Sequence, residues 1–435
     1  MRNLFNNIQH VKAFYRDPIA FLQTQSKTAI TSFGMAHLPF HHIIGLEEIK
    51  QVLVYEQKKF IKTPQAQYFT SLALGEGLVS TDGEKWLTQR KAANQLFRPQ
   101  VMDGLVNTMH VELKKILSNE KWVNTEINLN RLMMDITLQL IFKVTFGEVE
   151  GLNTQAIAEA MEIMIEETYK RVIAPINWPL FIPTSSNLKF NKSRAQYDQL
   201  IQDWTVKSLE NPDENALIYH YFTQDKHPDT SAVLAMKTAF KTLIAAGHET
   251  TATSLTWLFI ELGRNPTIAF EMREELLKVD LDQMRSMAEL LQQTPFTQQV
   301  INETLRLYPP IWLMGRMANE RVEIGDIFMK RKDNVLISPF IVHRLASYWE
   351  NPNTFKPSRF AHKNLNFTDA AYFPFGLGPR QCIGGRLAIV EMLIILANLY
   401  QQFEVSITNQ TTVNYHPYIT LRPASAIQVR LTALQ

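Results

Sequence analysis

Cysteine is almost absent: Cys382 is the only one in 435 residues. A single thiol excludes an intramolecular disulfide, cannot hold an iron–sulfur cluster and fits a reducing compartment. Glycine is sparse as well, and no Pro/Gly/Ser-rich linker, internal repeat or low-complexity run divides the chain. Length alone would suggest about three domains; without such a seam, one domain spanning residues 1–435 is the expectation. Charge of one sign is missing too. The 44 basic and 42 acidic residues leave a net charge of +2, which gives no electrostatic argument for a nucleic-acid partner. No apolar run is long. The N-terminal stretch MRNLFNNIQHVKAFYRDP lacks the pattern of a signal peptide or membrane anchor. Leu387–Leu399 is the most apolar segment, but it is too short to span a bilayer and carries Glu391. A soluble, cytoplasmic chain follows as the expectation.

What is present is a large core, with 46% apolar and 20% charged residues, and one chemically distinctive loop. Phe373 to Glu391 reads FPFGLGPRQCIGGRLAIVE. Cys382 sits between two pairs of glycines and just before an apolar helix beginning near Gly385. The positive end of that helix, together with backbone N–H groups, favours the thiolate. Gly376, Gly378, Gly384 and Gly385 allow tight turns and the close approach of a large flat group. Arg380 is placed to meet an anion at the edge of such a group, and Phe375 to shield the sulfur.

Three further patterns stand elsewhere. Trp86 and Arg90 lie at i, i+4 on one helical face, where an indole N–H and a guanidinium suit a carboxylate. Ala246-Gly247-His248-Glu249-Thr250-Thr251 interrupts the longest apolar helix, expected from about Ser231 to Arg264 behind a cap at His227-Pro228-Asp229-Thr230. There the Thr250 hydroxyl competes for the Ala246 carbonyl and is expected to open the helix locally, with Gly247 removing bulk beside the gap. Glu303 and Arg306 lie at i, i+3, followed downstream by Phe355-Lys356-Pro357-Ser358-Arg359-Phe360.

The loop Phe375-x-x-Gly378-x-Arg380-x-Cys382-x-Gly384 resembles the haem-thiolate loop of the cytochromes P-450, and the other three patterns follow that family's order from about Asp17 to the C-terminus. The resemblance implies a mainly α, triangular fold with a small β-rich lobe around one haem b, Cys382 being the axial ligand of its iron. It implies that Trp86, Arg90, Arg316 and Arg380 meet the haem propionates, that Phe375 and Gly384 complete the loop, and that Glu249 and Thr250 deliver protons to bound oxygen. Glu303, Arg306 and Arg359 become a structural network, with Ser358 standing where the family often has glutamate. Phe69, Leu72, Ile176, Phe181, Ala245, Ala246, Ile311, Trp312 and Ile419 become the lining of the substrate pocket. The implied reaction inserts one oxygen atom of O2 into a C–H bond of a fatty acid, terpenoid or steroid-like molecule. Electrons would come from a ferredoxin or flavodoxin with its NAD(P)H reductase, because no flavin or nucleotide unit remains in the chain. The lack of an anchor resembles bacterial members, and a monomer is expected. A peroxide-driven peroxygenase and a non-catalytic haem sensor remain the alternatives.

The remaining expectations concern local structure. Thr28–Phe33 and Phe40–Ile44 read as a strand pair and Leu46–Glu56 as one amphipathic helix. Lys58–Thr81 reads as an aperiodic cover, and Lys192–Glu210 and Leu281–Gln292 as helices. The proline-broken segment APINWPLFIPTSSN reads as a lid, and Tyr418–Leu421 as a strand beside a substrate-contacting turn.

Overall fold

A computed structural model describes residues 2–119, 122–147, 151, 153–174, 177–222, 230–361, 369–409 and 413–434. The helices are α1 (Arg2–Arg16), α2 (Pro18–Thr24), α3 (Leu46–Lys50), α4 (Pro64–Leu74), α5 (Gly83–Leu96), α6 (Pro99–Leu117), α7 (Leu129–Phe146) and α8 (Thr154–Ile173). They continue as α9 (Ser185–Glu210), α10 (Leu217–Phe222), α11 (Thr230–Arg264), α12 (Pro266–Leu276), α13 (Met287–Gln293), α14 (Pro295–Leu307), α15 (Pro339–Val342) and α16 (Gly385–Gln402). Many begin where the sequence supplies a capping oxygen. Asp17, Thr63, Asn128, Asn153, Thr184 and Ser286 each accept an N–H from the first turn of the helix that follows. Such a cap contributes about 1 kcal/mol.

The strands are short: β1 (Ile30–Met35), β2 (Leu38–Ile43), β3 (Phe60–Ile61), β4 (Glu126–Asn128), β5 (Met314–Ala318), β6 (Val322–Ile324), β7 (Ile327–Met329) and β8 (Asn334–Ile337). After the last helix come β9 (Phe403–Ile407), β10 (Tyr415–Pro417), β11 (Leu421–Pro423) and β12 (Gln428–Ala433). The main sheet has the order β1-β2-β8-β5-β3. Its β1–β2 hairpin pairs Ile30 with Ile43, and β2 runs parallel to β8. A second sheet, β4-β12-β9, ties the C-terminus to the start of α7.

Among the described residues three apolar clusters result, the smallest being Trp349, Phe360 and Tyr372. The largest joins α6, α7, α11, α14 and α16 through buried residues such as Leu113, Phe142, Leu255, Val300 and Leu396. The second lies under the main sheet and includes Ile43, Val335 and Ile337 together with Phe373 and Leu377. The loop that carries Cys382 is therefore rooted in the β-rich lobe at one end and in α16 at the other.

Several local expectations change. Lys58–Thr81 is not a bare loop: Thr63 and Pro64 start α4, whose short length hides its period. The Leu46–Glu56 helix changes after Lys50 into a π-helical turn at Gln51–Tyr55. Helix α13 begins only at Met287, because the Ser286 hydroxyl caps it there. Helix α9 starts at Ser185, well ahead of Lys192, once Thr184 caps it. Tyr418–Thr420 is the turn joining β10 to β11. Helix α11 runs unbroken from Thr230 to Arg264; its expected cap at His227-Pro228-Asp229 falls outside the described residues.

Candidate active site

Cys382 follows a turn that only glycine fits well. Gly376 and Gly378 have φ of 77° and 70°, and a Cβ on Gly378 would lie 2.1 Å from the Leu53 carbonyl oxygen in the π-helical turn. The Cys382 N–H donates to the Phe375 carbonyl at 2.7 Å, which closes the loop. A Cβ on Gly385 would press the Phe375 ring at 3.1 Å, so ring and helix start are packed together. The sulfur retains accessible surface although protein encloses it closely, as at the wall of a concavity. Burial raises the thiol pKa, while the Gly384 N–H and the Arg90 charge lower it by less. The helix start thus acts in the expected sense, lowering the thiol pKa by less than burial raises it, and a metal ion bound to the sulfur would favour the thiolate further.

Around the loop gathers a set of cations with one carboxylate among them. Arg380 pairs with Asp82, donates to the Thr81 carbonyl at 2.8 Å, and stacks 4.0 Å from the Trp86 ring centroid. Arg90 donates to the Gln381 carbonyl at 2.9 Å. Arg316, on β5, donates only to the Gly315 carbonyl among the described residues. Burial and the nearby Arg380 lower its pKa to about 10, with Asp82 opposing. Lys62, which no sequence pattern marks, donates to the Leu78 and Thr81 carbonyls. Burial first, and then Arg380, lowers its pKa to about 7. Asp82 does not cap α5; it accepts from the Lys62 N–H, Gln67 and Arg380 instead.

Four cations and an indole N–H on Trp86, uncommitted among the described residues, therefore face a single acid. That donor set fits a group carrying two further carboxylates, and a thiol beside it fits the iron of the same group. The residues present fit a haem.

On α11 the Thr250 hydroxyl donates to the Ala246 carbonyl at 2.6 Å, as its spacing demands. The helix is not opened by it, because the back-bond adds to the helical ladder without displacing it. A methyl on Gly247 would meet Ile141 of α7 at 3.5 Å, an ordinary van der Waals contact, so helix packing alone does not demand glycine there. Ala246 is exposed and Thr250 half-buried in the middle of an otherwise buried helix, as at a concave inner wall. Glu249 turns away, its Oε1 accepting from Thr420 and from Arg422 Nε at 2.8 Å.

The third constellation is a buried ion-pair network. Arg306 and Glu303 are fully buried and joined by two bonds of 2.8 Å, with Arg359 Nε adding one of 3.0 Å. His343, unmarked in the sequence, connects this unit to the cysteine loop. Its Nε2 accepts from the Phe373 N–H at 2.9 Å and its Nδ1 donates to the Arg306 carbonyl at 3.2 Å. Burial and Arg306 lower its pKa to about 3, so the ring stays neutral.

The expected pocket residues are only partly assembled. Phe69 and Ala245 are buried, and Leu72 and Ile311 half-buried. The Trp312 indole donates to the Tyr418 carbonyl at 2.7 Å and so ties its segment to the turn bearing Ile419. Phe181 is 85% exposed, in a turn whose Pro179 and Ile182 carbonyls accept from Asn187 of α9. Ile176 lies outside the described residues.

A long helix with a threonine back-bond, a cysteine loop at the head of an apolar helix and a Glu–Arg–Arg unit behind it define a haem-thiolate oxygenase. The chain belongs to the cytochrome P450 family, whose model matches residues 4–430, and it is a cytochrome P450 monooxygenase. Among its relatives, cytokinin hydroxylase of Arabidopsis thaliana is 27% identical over 89% of this chain and 78% of its own length. Cyclooctatin synthase of Streptomyces melanosporofaciens is 27% identical over 95% of this chain and 91% of its own. The crystal structure of CYP175A1 from Thermus thermophilus superposes with a TM-score of 0.77 at 23% identity, covering 98% of this chain and 97% of that one. A six-coordinate cytochrome P450 from another strain of the same organism gives a TM-score of 0.75 at 23% identity, covering 96% and 98%. No helix among the described residues is long and apolar enough to cross a membrane.

Proposed function

We propose that residues 1–435 form one cytoplasmic domain that holds haem b through Cys382 and hydroxylates a hydrophobic small molecule of the fatty-acid, terpenoid or steroid-like kind. Bound there, the haem iron supplies the activation of O2, which a thiolate ligand promotes. The protein's part is position, charge and protons. The observation that carries the reading is the donor set of Trp86, Arg90, Arg316 and Lys62 around the cysteine loop. Thr250 holds a proton at Oγ1 and has lone pairs left after its bond to Ala246. Glu249, one residue before it, is the acid that feeds that hydroxyl. Phe69, Leu72, Ala245, Ala246 and Ile311 offer apolar surface without a charged group, which favours apolar substrates.

Electrons come from a separate ferredoxin or flavodoxin with its NAD(P)H reductase. Lys91, Arg98 and Arg386 are exposed and carry no ion pair among the described residues, whereas Lys85 shares its charge with Glu76. An acidic carrier would be steered to that face.

The test is product formed per NADPH, using a substrate selected by binding spectra from a library of lipids and terpenes. Thr250→Ala should keep haem and substrate but release most of the oxygen as peroxide, with product per NADPH falling roughly tenfold or more as proton delivery is lost. Equal coupling in wild type and variant, or a wild type driven only by added peroxide, would contradict the reading.

A further inference from the structure

Glu249 is only 2% exposed, yet its carboxylate is held from outside its own helix. All of its donors converge on Oε1: the Thr420 hydroxyl, Arg422 Nε at 2.8 Å and Arg422 Nη2 at 2.7 Å. No donor to Oε2 is found among the described residues. Arg422 in turn reaches outward, Nη1 standing 3.3 Å from Glu162 of α8, a side chain that is 65% exposed. Beside this pair lies a hollow of about 90 Å³ lined by Glu162, Ile165, Glu166, Tyr418 and Arg422. That volume holds several waters, and its polar walls would keep them. Arg422 is therefore the partition between surface water and a buried acid.

The partition belongs to the β10–β11 hairpin, which other bonds tie to both sides of the site. Trp312 donates to Tyr418 and the Leu421 N–H to the Pro310 carbonyl at 2.9 Å. Trp257 of α11 donates to the Leu421 carbonyl at 2.7 Å, and the Tyr169 hydroxyl to that of Pro417 at 3.1 Å. Whatever presses on the Pro310–Trp312 segment or on the turn bears on Arg422. The other titratable neighbours do not compete for Glu249. Glu166 pairs with Lys170, and burial keeps His248 neutral with a pKa of about 4. Burial works against the Arg422 charge, but Glu249 and Glu162 more than offset it.

We propose that Arg422, with Thr420, is a latch on Glu249: closed, it keeps the carboxylate turned to the hairpin and away from Thr250; open, it lets protons pass from the hollow to Glu249. The open latch works in balanced steps. A proton from hydronium in the hollow goes to the carboxylate and leaves water; Glu249 then gives that proton to the Thr250 side and returns to carboxylate. Arg422 is a positioning residue in this scheme, and the scheme rests on the reading of Glu249 as the acid.

The experiment uses haem-loaded protein without substrate or redox partner. Hydrogen exchange over residues 415–423 should quicken in Arg422→Gln and in Thr420→Val, and return toward wild type in Arg422→Lys. After chemical reduction and mixing with O2, reoxidation of Arg422→Gln should be roughly a hundredfold faster, the low end of what an added general acid gives. It should also depend more steeply on pH and on D2O. The double variant Arg422→Gln/Glu249→Gln should lose that excess. Unchanged exchange in Arg422→Gln, or an excess that survives in the double variant, would overturn the latch. If the hairpin loosens while Glu249→Gln alone leaves the pH and isotope dependence of reoxidation at wild-type values, the acid role of Glu249 falls instead.

Discussion

Replacing Arg306 by alanine removes a guanidinium whose every group is engaged. Two bonds of 2.8 Å to Glu303 are lost, along with donors to the His343 carbonyl at 2.8 Å and the Pro352 carbonyl at 2.7 Å. The Trp349 ring loses the nearer of two guanidinium groups, Arg306 at 5.0 Å from its centroid, and keeps Arg359 at 5.9 Å. Breaking a fully buried ion pair from one side costs about 3–5 kcal/mol. Each buried carbonyl left without a donor adds about 1–3 kcal/mol unless water enters. Arg359 and the Lys356 N–H still serve Glu303 at 3.0 and 2.8 Å, which limits the damage to the carboxylate. Against a total stability of about 5–15 kcal/mol the loss is most of what the fold has. The damage also spreads, since His343 relays the network to Phe373 at the entry of the cysteine loop. Arg306→Ala should yield little haem-loaded protein, with a thermal midpoint lower by roughly 10 °C or more. Arg306→Lys should recover part of the yield, keeping charge without the two-pronged geometry. Thermal unfolding of haem-loaded protein is the assay. A midpoint within about 3 °C of wild type, with haem bound and only turnover lost, would refute the structural role.

Two further outcomes follow from the charges. Glu391 is buried on α16, and burial raises its pKa to about 8 from an ordinary 4.5, with Thr251 only partly opposing. A folded-state pKa above the unfolded value gives stability that is complete below the ordinary value and lost as pH rises through the raised one. Glu391→Gln should therefore gain on wild type by about 1.4 kcal/mol per pH unit across that range in denaturant unfolding, and parallel profiles would refute it. Arg316→Leu should fold normally but release haem to apomyoglobin at least roughly fivefold faster, as expected for about 1 kcal/mol of lost charge pairing; an unchanged release rate would remove Arg316 from the haem contacts.

The chemistry-bearing motifs were legible because their physics is local. Cys382 and its glycines, Trp86 with Arg90, Thr250 with Ala246, and Glu303 with Arg306 all lie within one loop or one turn of helix. Partners brought from afar were not legible. Lys62 is one of three lysines at the start of an aperiodic stretch, and only folding places it beside Asp82 and Arg380. His343 and Arg422 meet their partners across 37 and 173 residues of sequence, with no periodicity to mark them. Boundaries failed where a single side chain decides them, as Ser286 does for α13 and Thr184 for α9. The burial of Cys382, which raises its pKa, was not legible either, because only the fold reveals it.

The identity of the iron ligand is tested most directly by the ferrous–carbon monoxide spectrum of wild type and Cys382→Ser. Wild type should show the red-shifted band of thiolate ligation. The serine variant should lose that band while still folding, because the loop is held by the Phe375 carbonyl, Gly378 and Arg380, none of which involves the sulfur. The same red-shifted band in Cys382→Ser, or its absence from haem-loaded wild type, would contradict the account.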